Sequence, residues 1–461
     1  MKFKTFTRTA VLFSLLITGQ KGMAQERNSI SLFSKVKFYD GYLLKNNPDS
    51  ALQDGILRHR TSLYAVKMTD EQLSQIGDSL EMNVSVRSCC DNYDRIGNIN
   101  LALVPKGQAT YTPDSVQRIE LGRFITPFMD KNKHPRECPY HYSVPYLSYI
   151  LNDSQLRNSY DFWVEYELFG VPYAANQQIT GCENRSDVFL GTLSFSTLTP
   201  AQQLNDKDVL VPIVIKKPEY IGRNLDNYDS LGTDTIGKTT KTYYYTVPRD
   251  VADAQLVVVT SNHGANAGGE EYNRRWHYIY VDDQLALVYK PGRKSCEPFR
   301  QYNSQSNGIY QTSAMTDAQW QSFSNWCPGD VIDNRIIALG AVKAGEHKVR
   351  ISVPEAEFRD KQGDIPVSIF FQGLTEGTLT SIQTVKGKSK AEVTVKQQGD
   401  NLVFGSEEGV MSVELRDMQG KLLSQTENKS IINVAAYPAG IYLVSVELTD
   451  GIIETHKVVI K

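Results

Sequence analysis

Apolar and polar residues alternate along much of this chain with a period of two. In HKVRISV (347–353), Val349, Ile351 and Val353 alternate with Lys348, Arg350 and Ser352, the pattern of a strand with one face buried and one in water. Strand signals recur at EMNVSVRSC (81–89), NINLALVP (98–105), RIELGRFITPF (118–128), DFWVEYELFG (161–170) and VLVPIVIKK (209–217). They continue through KTYYYTVP (241–248), AQLVVVTS (254–261), WHYIYVDDQLALVYK (276–290) and PVSIFFQG (366–373). Helical periodicity is scarce: TDEQLSQIGDSL (69–80) and PYLSYIL (145–151) read either as short helices or as turn plus strand. The polar run IGRNLDNYDSLGTDTIGKTTK (221–241) predicts a long surface loop.

These signals divide the chain into an N-terminal β unit over 25–200, a second over 201–375, and a linker with a small β unit over 376–461. The last unit carries MSVELRD (411–417), AGIYLVSVEL (439–448) and ETHKVVIK (454–461), and no cysteine. A length of 461 residues suits two or three domains, each with its own core.

Composition adds the compartment. MKFKTFTR is basic, AVLFSLLITG (10–19) is apolar, and Gly22, Met23 and Ala24 precede Gln25, which predicts a signal peptide over residues 1–24. Six cysteines (Cys89, Cys90, Cys138, Cys182, Cys296 and Cys327) in an exported chain favour disulfides over a metal site, because no CxxC or HxxxH spacing occurs. No metal and no cofactor is expected. A net charge of -3 offers no electrostatic case for nucleic acid, and no later run is apolar enough to span a membrane.

The chemistry-bearing residues stand out by context. CCDNYDRIGNINL (89–101) puts Asp91, Asp94 and Arg95 at the lip of a strand, where carboxylates are disfavoured without a partner. Trp163, Glu165 and Glu167 share one strand face by the two-residue period. Glu270 and Glu271 follow SNHGANAGG, a glycine-rich loop that lets backbone approach a ligand. Carboxylates brought from separate strand ends to one cleft suit general acid–base hydrolysis. A loop salt bridge and solvated strand faces are the plain alternatives. No GxSxG nucleophile motif occurs.

CDNYDRIGNINLAL followed by ELGRFITPF (120–128) resembles the bacterial peptide-N-glycosidase F family. SNHG (261–264), GGEEY (268–272) and NWCPGDVIDNRI (325–336) extend the likeness over roughly residues 28–375. The resemblance implies an all-β fold of two adjacent eight-stranded jelly-roll sandwiches. It also implies an amidase that hydrolyses the asparagine–N-acetylglucosamine linkage of N-glycoproteins and glycopeptides. By position, the family's catalytic carboxylates fall on Asp94, Glu165 and Glu271, with Glu270 as the neighbouring choice for the third. Arg95, Trp163, His263, Glu270 and Trp326 become the expected substrate-binding side chains, and Cys296 with Cys327 the expected disulfide. Asp94 would be the leading base, Glu271 would share the water or protonate the leaving nitrogen, and Glu165 would bind the reducing-end sugar. The chain departs from the family at Phe323, where a basic residue is expected, and at His263, where the family has tryptophan.

The tail resembles a different family. VELRDMQGKLL, YPAGIYLVSVELTDG and HKVVIK look like the C-terminal sorting domain of type IX secretion, a small immunoglobulin-like β-sandwich read by the export machinery. Export, to the cell surface or beyond, follows from that likeness. Two other functions fit paired jelly rolls: a non-catalytic glycan-binding protein, since fold does not fix activity, and a copper monooxygenase. Acidic residues at all three mapped positions favour the hydrolase over the first. The absence of HH and HxH pairs argues against the second.

Overall fold

The computed structural model describes residues 27–43, 52–77, 79–198, 205–216, 239–265, 269–305, 309–310, 312–322, 324–358, 363–377, 379, 393–405, 410–417, 422–427, 430–448 and 453–460. The expected signal peptide and almost all of the 221–241 loop lie outside them. Within the described residues the chain is built from β-sandwiches, as the two-residue periodicity predicts.

The first sandwich faces a four-stranded sheet (Arg27–Tyr39, Asp187–Leu198, Glu81–Ser88, Glu137–Ser143) against five strands of its own (Gln117–Ile125, Ile96–Pro105, Tyr160–Leu168, Leu63–Lys67, Ile56–Arg60). A sixth, two-residue strand joins the second sheet from the other half of the chain: Val331–Ile332 pairs with Phe124 and Arg123 at its edge. The second sandwich is four on four. One sheet holds Asp208–Val214, Val367–Leu374, Asp253–Thr260 and Arg335–Ala338; the other holds Thr240–Val247, Gly345–Ser352, His277–Val281 and Gln284–Tyr289. A three-stranded and a four-stranded sheet form the C-terminal unit.

Strand chemistry explains these elements. Val349, Ile351 and Val353 are fully buried while Lys348, Arg350 and Ser352 are partly exposed, as their alternation requires. AQLVVVTS and PVSIFFQG do not alternate because their sheet is covered on both faces. Leu256, Val258, Ile369 and Phe371 enter the second core, while Val257 and Phe370 pack into the core of the first sandwich. Between His277–Val281 and Gln284–Tyr289 the chain reverses in two residues, Asp282 and Asp283, both with positive φ (47° and 64°). The short helices Asp70–Ser74 and Pro145–Leu151 resolve both ambiguous stretches as helix, the first stopped at its N-terminus by a Thr69–Gln72 capping box.

The C-terminal unit has a separate core of Leu402, Phe404, Val413, Leu415, Val444 and Val446 with their neighbours. Among the described residues, neither sandwich core draws one from beyond Phe371. Two disulfides occur, Cys90–Cys182 and Cys296–Cys327, leaving Cys89 and Cys138 as buried thiols. Burial pushes both thiols up to about 12, so they stay protonated and unreactive. The Cys296–Cys327 link spans 31 residues. Replacing both of its cysteines with serine should cost about 3–4 kcal/mol on the loop-entropy account. Calorimetry should therefore show an earlier transition, and non-reducing peptide mapping of the parent should recover only these two pairs.

Candidate active site

Four of the sequence motifs converge where the two sandwiches meet. CDNYDR forms the loop entering Ile96–Pro105 and is tied at its start by Cys90–Cys182. Thr126, from GRFITP, clamps its end. The Thr126 hydroxyl accepts from Arg95 N (2.7 Å) and donates to Tyr93 O (3.1 Å), while Thr126 N donates to Arg95 O (2.8 Å). The WCPGD segment lies along the same edge, with Gly329 N donating to Ile125 O (2.9 Å) and Ile125 N to Asp330 O (3.0 Å). Trp326 closes the seam: it packs with Ile96, Ile125, Val259 and Ile332, and its Nε1 donates to Asn262 O (2.9 Å).

Asp94 is partly exposed at the lip of this seam. Burial of its carboxyl, and then the nearby Glu271 carboxylate from the second sandwich, raise its pKa to about 8 against the pull of Arg95. Glu271 is buried, and its Oε2 accepts from Gly264 N (3.1 Å). Its backbone is pinned by Asn325, whose Nδ2 donates to the carbonyls of Glu270 (2.8 Å) and Glu271 (2.5 Å). Tyr272 bonds Glu271 through its hydroxyl, and burial together with Glu271 and Asp94 pushes that phenol well above its ordinary range. The result is two carboxyls and a phenol drawn from both sandwiches, with Asp94 pushed toward its protonated form by burial and by the Glu271 charge.

Gly264 explains why glycine precedes this glutamate. Its φ is +118°, and a Cβ there would sit 2.7 Å from Gly363 Cα and 3.1 Å from Gly269 Cα. Three glycines therefore let backbone press against backbone behind Glu271. Arg123 holds the same segment from the first sandwich. It is fully buried, paired with Glu120 (2.8 Å), and donates to Ser261 Oγ (2.8 Å) and Pro366 O (2.9 Å).

The other expected site residues lie elsewhere or do other work. Glu165 is not at the seam. Its register opposite Asn100 puts it six residues along the ladder from Asp94, about 15–20 Å at 3.3 Å per residue. It is completely buried, and Arg118 binds its Oε2 through Nε (2.8 Å) and NH2 (2.6 Å), with Tyr111 and Asn100 donating to the remaining sites. An isolated carboxylate would be too costly there, so the sequence supplies a guanidinium. Trp163 lies farther along, packed edge-on against Tyr111 (5.6 Å) with Ala65, Ala102 and Val104. Glu270 is held by Arg275 (2.7 Å) and by Glu357 N (2.9 Å), so Glu271 alone of the two faces Asp94.

Arg95 pairs with Asp91 (2.8 Å) rather than with Asp94. His263 stands close by, its Nε2 on Ser261 Oγ (2.7 Å) and its ring 5.7 Å from that of Trp326. Burial, with Arg123 and Lys216 nearby, lowers its pKa to about 3, so it is neutral. Phe323 lies outside the described residues. Among the described residues no cluster of His, Cys, Asp or Glu could hold a metal ion.

Sequence reasoning passed over three residues of this site: Arg123, Asn325 and Tyr272. Tyr272 had a signal, since it directly follows Glu271 in GGEEY. The others sit inside motifs whose internal contacts only the fold defines.

Residues 29–185 match the family described as Peptide-N-glycosidase F, N terminal, and residues 232–372 the one described as Peptide-N-glycosidase F, C terminal. Residues 389–461 match the secretion system C-terminal sorting domain. Two crystal forms of PNGF-II share the fold. In space group P21 the likeness covers 76% of this chain and 66% of that one (18% identity, TM-score 0.54). In C2 it covers 76% and 65% (19% identity, TM-score 0.52). This chain thus spans slightly under two thirds of the PNGF-II chains. PNGase F, a glycosylasparaginase from Flavobacterium meningosepticum, aligns over 77% of this chain and 98% of its own at 16% identity, with a TM-score of 0.47. No curated protein matches the chain. No described helix is long and apolar enough to cross a membrane, and the sorting domain marks the protein for export, secreted or attached to the cell surface. The chain belongs to the peptide-N-glycosidase F family, with a secretion sorting domain at its C-terminal end.

Proposed function

We propose that the protein hydrolyses the amide linking an asparagine side chain to the first N-acetylglucosamine of N-glycoproteins or glycopeptides. The observation that carries this reading is the meeting of Asp94 and Glu271, carboxyls of different sandwiches, beside Tyr272, with Asp94 held protonated to about pH 8 by burial and by the Glu271 charge. Amide hydrolysis needs one group to take a proton from water and another to give one to the leaving nitrogen. Glu271, already accepting from Gly264 N, serves as the anion that draws the proton from water. Asp94, with its raised pKa, delivers the proton to nitrogen as the C–N bond breaks. The water oxygen bonds to the side-chain carbonyl carbon, leaving an aspartyl peptide and a glycosylamine. This division reverses the roles expected from sequence, because it is Asp94 whose pKa is raised to about 8.

Incubation with a denatured N-glycoprotein in heavy-oxygen water should convert glycosylated Asn to Asp carrying one heavy oxygen, read by mass spectrometry. Glycan binding with no conversion would leave a binding protein instead. On a short glycopeptide, kcat/KM should fall above about pH 8, by roughly tenfold per unit, as Asp94 loses its proton. A rate that stayed flat to pH 9.5 would assign the proton to another group.

A further inference from the structure

The outer face of the second sandwich carries an aromatic stripe that the amidase chemistry does not use. Trp276, Tyr278 and Tyr280 project from one face of the strand region at 276–281, two residues and therefore about 7 Å apart. Val288 and Leu285 of the neighbouring strand extend the surface. The three aromatics are only 3%, 1% and 5% exposed, although they point away from the sandwich core.

The C-terminal unit covers the middle of the stripe, at Tyr278. Arg416, at the end of Val410–Arg416, sets its guanidinium 5.5 Å from the Tyr278 ring centroid and pairs with Glu355 across the contact (3.1 Å) and with Glu414 on its own strand (2.9 Å). Two buried polar groups of the stripe have no partner, Trp276 Nε1 and the Tyr278 hydroxyl. An unmade buried hydrogen bond costs roughly 1–3 kcal/mol, so the C-terminal unit is an imperfect occupant of this face.

A ligand that suits the face better must stack flat on aromatic rings and meet an N–H and an O–H with acceptors and donors of its own. We infer that the Trp276–Tyr278–Tyr280 stripe is a neutral-oligosaccharide binding site, separate from the Asp94–Glu271 pair, which the C-terminal unit occupies until it is displaced. A pyranose ring offers apolar C–H faces to the rings and hydroxyls to the orphaned groups. Arg416 holds the place of that ring, its guanidinium carbon 5.5 Å from the Tyr278 ring centroid. The cations at the stripe are already engaged: Arg350 lies 3.8 Å over Tyr280 and Lys290 lies 5.6 Å from Trp276. That argues for a neutral sugar over an acidic polymer. The inference does not rest on the amidase reading.

The test compares the full chain, its Arg416→Glu variant and a chain ending after Gly377. Arg416→Glu puts a third carboxylate beside Glu355 and Glu414 and should release the cover. The shortened chain keeps both sandwich cores complete. Six-sugar oligomers of N-acetylglucosamine and of mannose serve as probes, with dextran sulfate as the acidic comparison. At least one neutral oligomer should bind ten times more tightly, or more, to the opened or shortened chain than to the parent. Adding Trp276→Ala and Tyr278→Ala should abolish that gain and leave turnover of a short glycopeptide unchanged. The inference is overturned if neither form gains affinity, if only dextran sulfate binds, or if the gain survives loss of both aromatics. Binding that fails while glycoproteins are still deglycosylated would sink the stripe alone; the reverse would sink the amidase reading alone.

Discussion

If the proposed amidase reaction holds, Asp94→Asn should lower kcat by about 100-fold or more while the protein becomes no less stable. The loss follows from chemistry: an amide of the same shape has no proton to give to the leaving nitrogen, and a positioned acid or base contributes about 10²–10⁴-fold. Affinity for a chitobiosyl peptide should fall far less, because the neutral amide keeps the shape of a protonated carboxyl. The stability effect follows from the same raised pKa. Asp94 holds its proton up to about pH 8 in the folded chain and releases it near 3.8 when unfolded. Its contribution to stability is therefore complete below about pH 4 and lost as the pH rises through 8. Asparagine has no such loss, so the variant's melting temperature should match the parent's near pH 4 and exceed it near pH 8. A variant that turned over normally, or that melted lower at pH 8, would remove Asp94 from the role assigned to it.

Glu271→Gln should be equally damaging to turnover, and the reason shows what the sequence could and could not display. The motif GGEEY contains two adjacent glutamates, and period-two logic says only that they point opposite ways. Which one faces Asp94 depends on Arg275 and Glu357 N having claimed Glu270, a contact between loops distant in the chain. The placement of Glu165 was hidden for a related reason. Its face was legible, shared with Trp163 and Glu167, but its height along the strand depends on pairing with Asn100 and on an arginine 47 residues away.

The same limit applied to whole strands. HKVRISV was readable because one face is wet and one dry. RNSISLFSKVKFY, the 13-residue edge strand Arg27–Tyr39, was not, because register shifts after Ser31, Phe33 and Phe38 break its alternation. Val331–Ile332 was beyond reach altogether: two residues carry no period, and their partner belongs to the other sandwich. The motif families survived these difficulties because CDNYDR, GRFITP, SNHG and NWCPGD each form one side of a single seam.

Asp91→Ala should be the most destabilising change at that seam, and it separates the two aspartates of CDNYDR. The Asp91 side chain has no exposure, and its two oxygens accept from Tyr93 N (3.0 Å), Val171 N (2.7 Å) and Arg95 Nε (2.8 Å). From sequence alone Asp91 reads as a loop residue of little consequence; in the fold it is the post to which the loop is tied. Removing it strands two backbone N–H groups and takes from Arg95, itself only 19% exposed, its bond to Asp91. Breaking a buried pair from one side costs about 3–5 kcal/mol, and the residual exposure of Arg95 puts the expectation near 3. Asp91→Asn should recover part of this, since one oxygen still accepts, but its new N–H₂ must face a donor. Turnover should drop in both variants because the loop that aims Asp94 loosens, and it should recover partly on cooling or in stabilising osmolytes. Asp94→Asn should not recover under either condition, because its geometry is intact and its chemistry is gone. The two aspartates thus predict opposite signs in melting temperature near pH 8: down for Asp91, up for Asp94. If both variants melted lower and both recovered on cooling, the carboxyl pair would be a structural clasp, and the acid would have to be sought in Tyr272.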